Sequence, residues 1–302
     1  MNFHITILGS NSALAAHGRH PSSQYIKLDH HHILMDCGEG SQFRMNELKL
    51  SKVKLEYIFI SHLHGDHVFG LHGLITSMIL LGRKESLTIV GPIGIKDFIE
   101  NITKSTFTHF SFPIHCIETN PEEHQLVLEE ATFQVENIPL SHGVPCNGYL
   151  FRQKERPLNL KEEVIGKYNL NTKQIIELKA RKSIAVDGGY LHPDEALYVK
   201  NKARSYAYCS DTAYHSAIVP IIRNIDLLYH EATYLEEYQE KARQRGHSTA
   251  IEASTIAKDA GVGRLLIGHP SSKYADIRPL IEEARSVFEE TEFAYEGRVF
   301  DV

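Results

Sequence analysis

The sequence has no tryptophan, only 4 methionines and only 4 cysteines among 302 residues. Cys37, Cys116, Cys146 and Cys209 stand far apart and form no Cys-x-x-Cys pair. That excludes a cysteine-based zinc finger and argues against a disulfide framework. A reduced, cytoplasmic chain with buried free thiols is the expectation. No run approaches the roughly 18 uninterrupted apolar residues that a membrane span needs. The first residues, Met1-Asn2-Phe3-His4-Ile5-Thr6, lack a cationic stretch before an apolar one, so no signal peptide is expected. Positive charge is not in excess: 32 Lys+Arg face 38 Asp+Glu, a net −6, which excludes a strongly basic nucleic-acid glue but leaves room for a local patch. Apolar residues at 42% and charged residues at 23% sit near globular averages and rule out disorder, collagen and coiled coil. The length allows one large domain or two ordinary ones.

What the chain does have is histidine, 19 of them, and imidazole is the commonest metal ligand. Strand-like and helix-like segments alternate around these histidines. Phe3–Gly9 and Tyr25–Cys37 read as strands, and Tyr57–Ser61 as a short apolar one. Leu71, Leu74, Ile75, Met78 and Ile79 recur at helical spacing and predict a helix over Val68–Arg83. Leu87–Val90 reads as a strand, Ile95–Thr103 as a helix, and residues 112–118, 126–137 and 147–153 as strands. In a second run, Tyr206–Cys209, Ile225–Tyr229 and Arg264–Ile267 read as strands and Ile277–Phe288 as a helix. Ser248–Ala260 reads as a helix capped by Ser248 and ended by Gly261, and Phe293–Val299 as one final strand. The pattern implies two sheets packed face to face with helices outside, an α/β sandwich.

Residues 154–182 stand apart, with no strand signal. They hold eight basic and four acidic residues, a net +4 that leaves −10 on the rest of the chain. The stretch reads as a solvated helical insertion or as a basic arm that meets a polyanion.

The strongest chemical signal is Ser61-His62-Leu63-His64-Gly65-Asp66-His67, placed where a strand ends and a helix begins. His62 and His64 are two apart, so extended chain points both to one side. Four ligand-type side chains in six residues suit two cations, and imidazole with carboxylate favours Zn²⁺, with Mn²⁺ or Fe as alternatives. His142, Asp211 and His269 each follow a predicted strand, where α/β folds gather functional residues. An Asp with two oxygens can bridge two metals.

His-x-His-x-Asp-His followed by a distant His, Asp and His resembles the metallo-β-lactamase superfamily. Leu34-Met35-Asp36-Cys37-Gly38-Glu39-Gly40-Ser41-Gln42, His230-Glu231-Ala232-Thr233, Gly246-His247-Ser248-Thr249 and His269-Pro270-Ser271-Ser272-Lys273-Tyr274 narrow the resemblance to the ribonuclease Z family of tRNA 3′-processing endonucleases. The resemblance implies an α/β, four-layer αβ/βα sandwich, a single domain over 1–302 with a protruding arm inserted at 154–182. It implies that His62, His64 and His142 hold one zinc, Asp66, His67 and His269 the second, and Asp211 bridges them. Asp66 would also accept the proton of the attacking water, and Glu231 with His247 would donate one to the leaving 3′-oxygen. Asp36 would orient a ligand histidine through its ring N–H. Ser271, Ser272 and Lys273 are candidate phosphate contacts, and the arm would grip the tRNA elbow, in a homodimer.

The chain departs from the family pattern at three places. Asn169-Leu170-Asn171-Thr172 stands where the arm usually has Gly-Pro, Arg19-His20-Pro21 precedes Ser22-Ser23 where Arg-Asn is usual, and Lys273 stands where Arg is usual. The expected activity is removal of the 3′ trailer from precursor tRNA by two-metal hydrolysis, leaving a 3′-hydroxyl. The alternatives are a phosphodiesterase for small phosphodiesters, which would not require an arm, and a non-catalytic RNA-binding scaffold, whose metals would be expected in closed, Cys-rich sites.

Overall fold

Alternation decides which strand face is buried. In a computed structural model that describes residues 2–155, 158–199 and 202–302, Phe3, Ile5 and Ile7 point one way along Phe3–Gly9 and are fully buried. His4 and Thr6 point the other way. Phe3–Gly9 lies in a seven-stranded sheet, ordered Val299–Asp301, Phe3–Gly9, Ser23–Leu28, His31–Met35, Tyr57–Phe59, Leu87–Pro92, Ile114–Thr119. A second seven-stranded sheet runs Thr291–Phe293, Arg264–Gly268, Leu227–Glu231, Ser205–Cys209, Asn147–Gln153, Phe133–Pro139, Leu126–Glu129. In each, antiparallel pairing gives way to parallel pairing: from His31–Met35 onward in the first, from Ser205–Cys209 onward in the second.

Three apolar clusters stack the layers. Between the sheets, Phe3, Ile5, Ile33 and Phe59 meet Phe133, Tyr149, Phe151 and Tyr206. Outside the first sheet, Leu34, Ile58 and Ile89 pack against Met45, Leu74, Ile75 and Met78. Outside the second, Ala207, Leu228 and Leu265 pack against Ala253, Ile256 and Ala257 of Ala250–Ala260 and Leu280 of Arg278–Val287. Fully burying one such aliphatic side chain contributes about 1.5–3 kcal/mol. The result is the expected four-layer αβ/βα sandwich.

Six local expectations need correction. Tyr25–Cys37 is not one strand but an antiparallel pair, Ser23–Leu28 and His31–Met35, and residues 126–137 likewise split into Leu126–Glu129 and Phe133–Pro139, because each turn folds the chain back on itself. Val68–Arg83 is not one helix but two, Gly65–Val68 and Leu71–Leu80, broken at Phe69-Gly70, where the Gly70 N–H turns to the Cys37 carbonyl (2.9 Å). The cap of Ala250–Ala260 is Thr249, whose hydroxyl accepts the Glu252 N–H while Glu252 accepts the Thr249 N–H. Ser248 instead donates to the Thr212 carbonyl (2.7 Å). Phe293–Val299 is not a strand: Thr291–Phe293 closes the second sheet and Val299–Asp301 the first, with a turn at Gly297 carrying the chain across. Three cysteines are buried and free as expected, but Cys116, also free, is only partly covered.

The chain divides into two compact units, Met1–Arg152 with Arg204–Val302, and Gln153–Ala203. The second unit contains the basic stretch 154–182, of which Arg156 and Pro157 lie outside the described residues. It holds helices Glu162–Tyr168 and Thr172–Lys179 and the hairpin Ile184–Val186/Gly189–Leu191. It also holds a short strand, Asn159–Leu160, that the sequence did not signal. Leu160, Val164, Leu178, Ile184 and Leu197 form its own small core. Among the described residues, no helix is long and apolar enough to cross a membrane.

Candidate metal centre and proton-donor pair

Parallel strands all end at the same edge of their sheet, and there each sheet delivers its polar residues. Asp36 follows His31–Met35 and Ser61 follows Tyr57–Phe59; Asp211, Glu231 and His269 end or follow parallel strands of the second sheet. Asp36, fully buried, is the hub. Its Oδ1 accepts the Ser61 N–H (2.7 Å), and its Oδ2 accepts from the Ser61 hydroxyl (2.9 Å), His67 Nδ1 (2.7 Å) and the Tyr208 hydroxyl (2.8 Å). Asp36 (φ 53°) and His269 (φ 60°) both hold left-handed backbone, strain of a kind that clusters at functional sites. Gly38 makes the turn after Asp36 close: a Cβ there would lie 2.5 Å from the Asp66 carbonyl oxygen.

With His67 Nδ1–H given to Asp36, its Nε2 presents a lone pair inward. That atom lies 3.3 Å from Asp66 Oδ2 and 3.3 Å from Asp211 Oδ1. His269 Nε2 lies 3.2 Å from Asp211 Oδ1 and 3.7 Å from Asp66 Oδ2. Both nitrogens are buried and lack a hydrogen-bond partner. On the other side, His64 Nδ1 lies 3.0 Å from His62 Nε2 and 3.3 Å from His142 Nε2. Asp211 Oδ2 faces this group, 3.8 Å from His62 and 3.9 Å from His142. The two oxygens of Asp211 therefore face two candidate ligand sets, His62–His64–His142 and Asp66–His67–His269, and Asp211 also groups with His247 and His269. Nitrogen and carboxylate oxygen at such separations repel unless positive charge sits among them, which protons on the imidazoles or divalent cations can supply.

The electrostatics follow. Burial, with His67, His142 and His64 close by, holds His62 well below the usual imidazole range. Burial opposes ionisation of Asp66 and Asp211, but the surrounding histidines outweigh it and hold both carboxyls below their ordinary range. For His67, burial likewise loses to Asp211 and Asp36, which hold the imidazole well above its ordinary value.

At the rim, His247 Nδ1 donates to Glu231 Oε1 (2.8 Å), and Glu231 is fully buried. Thr212 N–H (2.9 Å) and Thr233 N–H (3.1 Å) hold the same carboxylate. Burial disfavours the His247 charge, but Glu231 prevails and lifts its pKa to about 9. That favours the protonated imidazole near neutral pH. The residue before it, Gly246 (φ +69°), carries the carbonyl that accepts His142 Nδ1–H (2.8 Å); a Cβ there would lie 2.9 Å from that nitrogen.

These groups open into a cleft of about 500 Å³, which Ser271 and Ser272 also line. Lys273 is placed differently: its ammonium lies over the rings of Tyr238 and Tyr274. Sequence reasoning missed several contributors. Arg245 lines the cleft with no carboxylate partner among the described residues, signalled only by standing two before His247. Thr233 bonds Glu231 and sits 3.0 Å from His269 Nδ1, a role hidden in a motif read for its Glu. Tyr208 and the Ser12–Leu14 loop, which reach the site from elsewhere in the chain, carried no local signal.

A family model described as Anti-Pycsar protein Apyc1 matches residues 3–139, a stretch that stops before His142, Asp211, Glu231, His247 and His269. Ribonuclease Z of Porphyromonas gingivalis (strain ATCC BAA-308 / W83) is 43% identical over 304 aligned residues, covering 99% of each chain. Among solved structures, the short form of human tRNase Z aligns with TM-score 0.70 at 24% identity over 98% of each chain. The metallo-β-lactamase fold protein YhfI from Bacillus subtilis aligns with TM-score 0.71 at 20% identity over 100% of each chain. Those two likenesses speak for the fold, whereas full-length identity of 43% speaks for kinship. The chain belongs to the ribonuclease Z family of metallo-β-lactamase-fold endoribonucleases.

Proposed function

We propose that this chain removes the 3′ trailer from precursor tRNA as a zinc-dependent endoribonuclease, leaving a 3′-hydroxyl on the tRNA. The observation that carries the reading is the Glu231–His247 hydrogen bond at the rim of a cleft whose floor gathers two metal-ligand sets. In the proposal His62, His64 and His142 hold one Zn²⁺, Asp66, His67 and His269 the other, and Asp211 both. Two bound zinc ions supply Lewis acidity, neutralising developing phosphoryl charge and making water a competent nucleophile near neutral pH.

The chain's own residues do the rest. Asp36 fixes His67 so that Nε2 faces inward. Asp66, on the first turn after His64, takes the proton released by the attacking water. His247, protonated and oriented by Glu231, gives its proton to the departing ribose oxygen. Arg245, Ser271 and Ser272 hold flanking phosphates. The Gln153–Ala203 unit grips the tRNA body, serving the partner's active site in a homodimer. Free thiols at Cys37, Cys146 and Cys209 support a cytoplasmic setting.

The test is incubation of the purified protein with precursor tRNA and Zn²⁺ or Mn²⁺, with the cut mapped at nucleotide resolution and subunit mass read by sedimentation. Release of the trailer with a 3′-hydroxyl is expected; no release sinks the reading. Replacing Lys161, Lys167, Lys173 and Lys179 by alanine should weaken precursor tRNA cleavage by roughly tenfold or more. A chromogenic phosphodiester should be spared. Equal loss on both substrates contradicts the arm's role, and turnover of the small substrate alone favours a small-phosphodiester enzyme.

A further inference from the structure

The first sheet carries a second concave site on its outer face, at the end of its strands away from the metal ligands. His32, at the start of His31–Met35, lines it, while Asp36 lies beyond the far end of that strand, roughly 13 Å along at the usual strand rise. The cavity measures about 510 Å³, within the range of small-ligand pockets.

Its charge is one-sided. Lys27, Lys49 and Lys54 line it, and no ion pair among the described residues engages any of them. The single lining carboxylate, Asp301, is already bonded to His4. The nearby Glu56 is held by His31 Nδ1 (2.8 Å) and by the His32 N–H (3.3 Å). The floor is fixed: Tyr25 is buried, and its hydroxyl donates to the Ser51 carbonyl (3.1 Å) and accepts from His32 Nδ1 (2.8 Å). Burial, reinforced by the Lys27 and Lys54 charges, holds the His32 imidazole below its ordinary range, a sign of positive potential in the pocket. Leu50 and exposed Val299 give the cavity an apolar wall.

Unpaired cations over a rigid, hydrogen-bonded floor suit a multiply charged anion, and an apolar wall beside them suits a flat ring. We propose that this cavity binds a nucleoside polyphosphate, with its phosphates among Lys27, Lys49 and Lys54 and its base against Leu50 and Val299. The site is independent of the metal centre and of the reading of the reaction.

The experiment is hydrogen exchange on the full-length, metal-loaded protein with adenosine triphosphate, inorganic triphosphate or adenosine, alongside binding titrations. Adenosine triphosphate should slow exchange in residues 25–32 and 49–55. In Lys27→Ala/Lys54→Ala that protection should vanish and this affinity fall about tenfold or more, the effect of losing charge-assisted hydrogen bonds. Hydrolysis of a chromogenic phosphodiester should not change. Equal protection by inorganic triphosphate supports the phosphate site and overturns the base contact. The proposal is overturned if protection is confined to residues 60–68, 209–212 and 245–249, if the double variant binds unchanged, or if adenosine alone protects as well.

Discussion

The two sheets contribute to the same centre in different ways. The first sheet offers His62, His64, Asp66 and His67 from one strand-to-helix turn, steadied by Asp36 one strand away. The second offers His142, Asp211, Glu231, His247 and His269 from separate segments of a span of more than a hundred residues. The first contribution is local and needs only backbone geometry over a few residues. The second depends on parallel pairing, such as Cys209 opposite His230 and Glu231 opposite Gly268, to bring distant loop ends together. Local geometry is robust to changes elsewhere, whereas assembled geometry is vulnerable wherever a loop is anchored.

Substitution at Asp211 tests the meeting point hardest. Its two oxygens face both ligand sets, so Asp211→Ala should lower metal bound at both and reduce cleavage on the order of 10³-fold. Two metals retained per chain by mass spectrometry would break the bridging reading. His247→Ala separates chemistry from metal holding. A roughly 10²-fold loss of turnover with full metal content is expected, and loss of metal in step with activity would instead make His247 a ligand. Arg245→Ala should raise KM for precursor tRNA about tenfold with kcat nearly unchanged; a fall in kcat alone removes it from substrate binding.

The smallest effect concerns the anchor rather than the chemistry. Thr249 closes the capping box that starts Ala250–Ala260 and sets where Ser248 and His247 leave the helix. Thr249→Ala should cost about 1 kcal/mol in denaturant unfolding, with a larger fractional loss of turnover than of metal content. An unaffected turnover would show that His247 needs no help from the helix start.

How much of this could be read from the chain depends on the same distinction. The His62–His67 motif was readable because its spacing places four ligand-type side chains within one strand-to-helix turn. Asp36 and the Glu231–His247 pair were readable only through resemblance, since nothing local joins residues that are 31 or 16 positions apart. Tyr208 and Arg245 were not readable at all: one is an ordinary strand residue, the other an ordinary helix-end arginine, until folding faces them to the site. Phe293–Val299 misread as one strand for a related reason. Its β-forming residues carry no mark of which sheet each will join, and only the turn at Gly297 separates them.

By itself the sequence determined the elements with strong period, the layered α/β class, the imidazole and carboxylate groups of the candidate metal centre and the +4 stretch, because side-chain periodicity and charge are properties of neighbours in the chain. Tertiary structure decided that Asp211 presents one oxygen to each candidate ligand set and that Asp36 ties His67, on the helix after Tyr57–Phe59, to Tyr208 of the second sheet. It also decided that three lysines share one pocket. Those facts depend on which strands lie side by side, and pairing between distant segments is settled by packing of the whole core rather than by any local pattern.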